Sequence, residues 1–325
     1  MLLKNLINSS SKKIDKIKVN DLALDSRKVK KNSLFFALKG TKVNGEKFIE
    51  EAILKGASAI VCSYNSKLKS YQIPIIKVKN PRKYLGEICS KFFKKKPKNI
   101  IAVTGTNGKS SVADFFRQIL YLNKIPVASI GTLGIKKNNK TTKLDLTSPD
   151  VISLHKKLEQ LKKNKIDNVI LEASSHGLSQ GRLNGIEFKA GIFTNFSQDH
   201  LDYHKTMSNY FNSKMILFSK LLQKKKFIIT DISFERYEIL KKLSIKKKLK
   251  VLCINKDLIN DCNKKINLIG NFQIKNLCLS ILAAKLCGVR SQKIDIILKK
   301  IKSVDGRLEL VKKFPKNINV FIDYA

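Results

Sequence analysis

A chain of 325 residues with 43% hydrophobic content has the length for two domains and the composition of a soluble globular protein, not of a disordered or fibrous one. No apolar run follows the amino-terminal basic residues, no stretch approaches the ~20 apolar residues of a spanning helix, and six cysteines with neither a C-x-x-C pair nor metal-ligand spacing suit a reducing cytoplasm. The net charge of +40 excludes less. Lysine is spread along the chain ("KKKPK" at 94–98, "KKNNK" at 136–140, "KKKLK" at 246–250) and is not gathered with aromatics, so solvated surface lysine and non-specific polyanion attraction both remain open.

From residue 18 to 79 short apolar runs alternate with turns. "SLFFALKG", "GASAIVCS" and "YQIPIIKV" read as strands, and "GEKFIEEAILKGA" carries apolar residues at helical spacing. They predict a small α/β unit over 1–96, closed by the linker "KKKPKN". Beyond it the pattern becomes strand-then-helix. "NIIAVTG" leads into a helix over 109–122, "PVASIGTLG" is a strand, "SLHKKLEQLKKNK" a helix, and "DNVILEAS", "KAGIFTNFS" and "KFIITD" are buried strands. This rhythm predicts a mostly parallel sheet covered by helices over 97–312, with ligands at the carboxyl ends of its strands.

The turn "TGTNGKSS" (104–111) lies between such a strand and helix, where inward backbone N–H groups and a helix start can hold phosphate. Lys109 is placed to reach terminal phosphates and the Ser110 hydroxyl to ligate magnesium. The strict pattern G-x-x-x-x-G-K-[ST] is not met, because Val103 stands where its first glycine belongs, so a plain strand-to-helix turn is the competing reading. A second group follows. "VILEASSHGLSQGRL" (169–183) puts Glu172 at a strand end before Ser174, Ser175 and His176, and "FTNFSQDHLDYH" (193–204) supplies Asp199, His200, Asp202 and His204. A lone histidine is more often structural, yet three of the chain's four fall here, beside a phosphate loop, as a hard-cation site requires.

At these residues the chain resembles the Mur ligase family of ATP-dependent amino-acid ligases, and within it the MurE type. The shared motifs are "DSRKVKKNSLFFALKG" (25–40), "TGTNGKSS", "LTSPD" (146–150), "EASSHGLSQGRL" (172–183) and "FTNFSQDHLDYH", then "YFNSKMILF" (210–218), "GNFQIKNLCLSILAA" (270–284), "DGRLE" (305–309) and "IDYA" (322–325). They run in family order over nearly the whole chain. The resemblance implies a UDP-binding amino-terminal domain over 1–96, an ATP-binding domain over 97–312, and at 313–325 the first strand of a third, Rossmann-like domain that the chain lacks. With no sheet of that domain to join, residues 311–325 are expected to be frayed or packed opportunistically, and a chain without the third domain to be unable to complete ligation.

Residue by residue, it implies that Thr104, Gly105, Thr106, Asn107, Gly108, Lys109, Ser110 and Ser111 hold ATP, with Asn276, Arg307 and Asp323 near the nucleotide. Ser110, Glu172, His200 and a carbamylated Lys214 would surround Mg²⁺, and Lys109, Lys214, His200 and Glu172 would be catalytic. Ser26, Thr41, Lys42 and Val43 would bind the uridine nucleotide, and Thr147, Ser148, Ser174, Gln180 and Arg182 the muramoyl-peptide. Gln273 departs from the family's asparagine by one methylene. The implied reaction joins a diamino acid, meso-diaminopimelate ahead of L-lysine, to UDP-N-acetylmuramoyl-L-alanyl-D-glutamate through an acyl phosphate in peptidoglycan synthesis, by a cytoplasmic monomer without a specific nucleic-acid partner. The D-N-P-R-type motif of diaminopimelate users is not found in the chain. Two other classes stand beside this one: a related folate or muramoyl ligase with another substrate, and a non-enzymatic polyanion binder.

Overall fold

The structure is a computed structural model that describes residues 1–7, 14–40, 43–138, 140–144, 146–266, 268–313 and 319–324. The chain divides into two compact units. The first comprises Met1–Lys95, Asp150–Glu159 and Gln180–Ile186, and the second the remainder.

The first unit contains β1 (Asp21–Ala23), β2 (Ser33–Phe36), α1 (Ile49–Leu54), β3 (Ala57–Ser63), β4 (Ile75–Val78) and α2 (Pro81–Phe92). Its strands pair in sequence order, all parallel. The run "LFFA" (34–37) is apolar throughout because both faces of β2 are covered. Leu34 and Phe36 meet Leu85, Ile88 and Cys89 of α2 on one face, while Phe35 and Ala37 meet Ile49 and Ala52 of α1 on the other. Full burial of each of these large side chains stabilises by about 2 kcal/mol. Pro81 at the first turn of α2, with Asn80 capping it, fixes where that helix begins.

The second unit opens with β5 (Asn99–Thr104), α3 (Lys109–Leu122), β6 (Val127–Gly131), β7 (Gly134–Lys137) and β8 (Lys140–Thr142). Helix α4 (Val151–Lys163), whose residues up to Glu159 group with the first unit, precedes β9 (Asn168–Glu172), α5 (Ser175–Ser179), β10 (Ala190–Phe193), α6 (Leu201–His204) and α7 (Met207–Ile216). Then come β11 (Phe227–Asp231), α8 (Tyr237–Lys247), β12 (Lys250–Ile254), α9 (Lys256–Lys265), α10 (Asn271–Leu286), α11 (Ser291–Ile297), β13 (Glu309–Lys313) and β14 (Asn319–Ile322). The main sheet has the order β12-β11-β10-β5-β9-β6-β7-β8, parallel from β12 to β6. The chain leaves β5 towards one side and returns to β10 on the other. The carboxyl ends of β9, β5 and β10 therefore flank a topological switch point, where ligands of such sheets bind. Helices α3 and α10 pack together, and Phe115, Phe116, Ile119, Leu277 and Ile281 join the core beside β5.

One expectation is corrected. "PVASIGTLG" is not one strand: it breaks after Gly131, and Gly134, at φ 86°, opens an antiparallel return strand. The terminal strand β14 pairs antiparallel with β13 in a two-stranded ribbon, and its residues are exposed. Among the described residues no helix is long and apolar enough to cross a membrane.

Candidate active site

Strand β5 ends at Thr104, and the chain turns through Gly105 (φ 145°) and Gly108 (φ 83°) into α3. Only glycine fits either position. A Cβ on Gly105 would overlap the Thr194 hydroxyl, and one on Gly108 would lie 2.5 Å from the Asn276 amide oxygen. The loop is held from outside. Asn195 accepts from the backbone N–H of Thr106 through its carbonyl (3.0 Å) and from that of Asn107 through its side chain (2.9 Å), and Thr194 Oγ1 donates to the Asn107 carbonyl (2.6 Å). Gly108 offers no side chain to cap α3, so the first amides of the helix, at Lys109, Ser110 and Ser111, face outward for an anion.

Two lysines share one carbonyl. Lys109 Nζ donates to the carbonyls of Gly105 (3.0 Å) and Thr106 (2.5 Å), and Lys214 Nζ donates to Gly105 as well (2.7 Å). Lys214 is 1% exposed and sits over the Tyr210 ring at 4.2 Å. Burial, reinforced by the charge of Lys109, brings its pKa down to about 6. Burial also lowers the Lys109 pKa, opposed by Glu172 and Asp199.

Glu172, at the end of β9, is the acidic centre. Its carboxylate accepts from Ser110 Oγ (3.0 Å), from the Thr132 backbone N–H (3.0 Å) and from the Thr132 hydroxyl (3.0 Å). A Cβ on Gly131 would strike it, so the hairpin turn after β6 is shaped around this carboxylate. Burial pushes the Glu172 pKa up, and the Lys109 charge pulls it back. Thr147 contacts Thr132 (3.2 Å), Ser148 Oγ donates to the Glu172 carbonyl (2.9 Å), and Ser174 meets Ser148 (3.1 Å). These three predicted residues therefore gather at the end of β9.

The predicted cation set is brought together in part. Ser110 and Glu172 are bonded. His200, at φ 50° before α6, is half exposed and lies beside Asp199 (Nδ1–Oδ1 3.4 Å). Its ring packs 5.0 Å from His176 and 6.0 Å from Tyr210, the tyrosine that also carries Lys214. His204 joins this cluster, its Nε2 buried without a hydrogen bond among the described residues and its pKa lowered by burial and then by the neighbouring imidazoles. Among the described residues no three His, Cys, Asp or Glu side chains are arranged to hold a metal ion by themselves.

Across the loop, Asn276 donates to Gln273 Oε1 (3.2 Å), Gln273 to the Arg307 carbonyl (3.0 Å), and Arg307 Nη2 to Ser110 Oγ (3.4 Å). Asp323 Oδ1 accepts from the Leu308 backbone N–H (3.1 Å). The extra methylene of Gln273 thus spans from Asn276 to the Arg307 backbone.

The other predicted residues belong to the first unit. Ser26 is buried and donates to Glu51 (2.7 Å), Val43 is exposed, and Thr41 and Lys42 lie outside the described residues. Arg182 donates twice to Gln180 Oε1 (3.1 and 2.7 Å), and Arg82 binds the Gln180 carbonyl (3.3 Å). A cavity of about 440 Å³ at the carboxyl ends of β2, β3 and β4 is lined by Asn44, Ser63, Asn65, Lys79 and Arg82. Sequence reasoning missed Thr132, Thr194, Asn195 and Tyr210. Thr194 and Asn195 stand at a strand end inside a quoted motif, so the strand-end rule could have found them; Thr132 becomes visible only with the hairpin.

This sheet, with its glycine loop at the switch point, defines a phosphate-loop nucleotide-binding protein. The Mur ligase middle domain matches residues 103–284, and the catalytic domain of the Mur ligase family matches 18–93. The chain belongs to the Mur ligase family. It is 34% identical to the UDP-N-acetylmuramoyl-L-alanyl-D-glutamate–2,6-diaminopimelate ligase of Rhizobium meliloti (strain 1021), over 95% of this chain and 68% of that protein. A solved structure of a ligase of that name superposes with a TM-score of 0.80 at 24% identity, covering 97% of this chain and 69% of the other. The MurF ligase of Thermotoga maritima, solved in complex with ADP, shares the fold at a TM-score of 0.55 and 17% identity, over 92% of this chain and 70% of that one.

Proposed function

We propose that the chain carries the UDP-substrate and ATP sites of a cytoplasmic ATP-dependent ligase that joins a diamino acid, meso-diaminopimelate ahead of L-lysine, to UDP-N-acetylmuramoyl-L-alanyl-D-glutamate, and that these sites alone bind both ligands without completing the ligation. The observation that carries this reading is the Ser110–Glu172 pair at the start of α3, behind a glycine loop, in a chain 34% identical to a ligase of that name. Residues 1–96 hold the uridine nucleotide, with Ser26 and Val43 among its contacts, and 97–312 hold ATP.

A free carboxylate is a poor electrophile. Transfer of the γ-phosphoryl group of ATP to the substrate glutamate gives an acyl phosphate and ADP. The amine of the diamino acid then attacks the acyl carbon and inorganic phosphate leaves. The Ser110 hydroxyl and the Glu172 carboxylate, hard oxygens 3.0 Å apart, fit magnesium, which takes few protein ligands and completes its shell with phosphate and water. Bound there it would neutralise charge on the transferring phosphoryl group. Lys109 leaves the Gly105 and Thr106 carbonyls to meet the phosphates, and Arg307 and Asn276 border the nucleotide. Lys214, held near neutrality by burial, adds CO₂ as its free amine with loss of a proton, which turns it into an anionic ligand beside His200. Arg182 and Gln180 take a substrate carboxylate in planar geometry, and Thr147, Ser148 and Ser174 line the peptide.

Calorimetric titration tests the reading. Saturable binding of UDP-N-acetylmuramoyl-L-alanyl-D-glutamate is expected, together with an ATP affinity that falls about tenfold or more in Lys109→Ala. Preferred binding of a folate or of a UDP-muramoyl tripeptide overturns it.

A further inference from the structure

The amino ends of the parallel strands, opposite the phosphate loop, carry a second concentration of charge. The register pairs Ala190 with both Ile101 and Phe227, so Lys189 stands level with Ile100 and Lys226. Alternation along β5 puts Lys98, two residues before Ile100, on the same face. Lys96, Lys98, Lys189 and Lys226 line a cavity of about 240 Å³, in which Glu187 is the one carboxylate. Lys189 Nζ donates to Asn99 (2.8 Å), while the ammonium groups of Lys98 and Lys226 have no acceptor among the described residues. Asp167, at the head of the next strand, is already engaged by the Lys98 backbone N–H (2.9 Å) and the Lys162 ammonium (2.6 Å).

We propose that this cavity binds a small oligophosphate, of two or three linked phosphates, at a site separate from the phosphate loop. The ammonium groups of Lys98 and Lys226, beside that of Lys189 and with one carboxylate on the concave wall, create a positive potential that a multivalent anion cancels. Lysine acts on phosphate as a mobile point charge, so it needs no planar match. A volume below the usual range for drug-sized ligands admits a phosphate chain without a nucleoside. This face lies at the other end of the strands from Lys109 and Glu172, so the inference stands independently of the ligase reading.

The test is calorimetric titration of inorganic tripolyphosphate into Lys109→Ala, where the phosphate loop is weakened. One saturable site is expected, with affinity falling about tenfold or more when Lys98→Gln and Lys226→Gln are added. Lys299→Gln with Lys300→Gln, an equal loss of charge at exposed positions elsewhere, should leave it unchanged. ATP run in parallel separates the sources: equal affinity assigns the site to a nucleotide's phosphate tail, and weaker ATP binding assigns it to free oligophosphate. Should the double variant lose its fold by thermal melting, Lys98→Gln alone, at an exposed position, replaces it, with a measurable loss expected. No saturable binding in Lys109→Ala, or an equal loss in the two lysine pairs, overturns the site and leaves diffuse charge.

Discussion

Lys214 shows how one buried side chain can be read from both ends. Its ammonium form is disfavoured in the folded chain, with a pKa of about 6 against an ordinary value of 10.5. Below about pH 6 both folded and unfolded chains hold the proton, and the burial penalty is complete. Between there and the ordinary lysine value the folded chain binds fewer protons, so stability rises with pH through this window. Lys214→Met should remove that part of the rise, read as the difference in urea midpoints between pH 7 and pH 9; identical slopes in the two proteins would sink the assignment. The same neutral amine should take up carbon dioxide, giving with labelled bicarbonate a carbamate carbon resonance that Lys214→Met lacks. Ser26 offers a smaller test. Its hydroxyl is donated to Glu51, so Ser26→Ala should cost roughly 1 kcal/mol of stability by chemical denaturation. It should also weaken the UDP-muramoyl ligand, and unchanged affinity removes Ser26 from that site.

At the scale of elements, the phosphate loop depends on two glycines and on the strand beside it. Gly105→Ala must seat a side chain at φ 145° where the Thr194 hydroxyl stands. Strain of this kind costs about 1–3 kcal/mol, and the loop can escape it by moving away from Asn195. Nucleotide affinity should therefore fall about tenfold or more while the circular dichroism of the sheet stays unchanged. Thr194→Ala in the same chain should recover only part of the loss, because it relieves the overlap and not the backbone angle. Full nucleotide affinity in Gly105→Ala would show that the loop does not hold the phosphates.

For the molecule as a whole, a formal charge of +40 on 325 residues means substantial self-repulsion in the compact state. Among the described residues, salt bridges are mostly at exposed positions, so they offset little of it. Raising ionic strength from about 0.02 to about 0.3 M should shorten the Debye length enough to raise the thermal midpoint. A midpoint that falls with salt would mean that attractive pairs outweigh the repulsion.

The sequence by itself determined the elements whose signal is local. The apolar run of β5, the glycines of the turn and the periodic helix over 109–122 coincide with the structure because each depends on a few neighbouring residues. The likeness of its motifs to the Mur ligases was legible for the same reason. What only the tertiary structure decided involves residues far apart in the chain. Glu172 meets the hairpin turn at Thr132, 40 positions away, and Asn195 reaches back 88 positions to Asn107. Gln180 and Arg182 follow Ser174 closely in sequence, yet they group with the first unit while Ser174 stays with the second. A strand's own residues set its periodicity, but which strands become its neighbours depends on how the whole chain buries its apolar faces. The strand order placed Glu172, Gly105 and Thr194 at adjacent strand ends, and Lys98, Lys189 and Lys226 at the opposite ones.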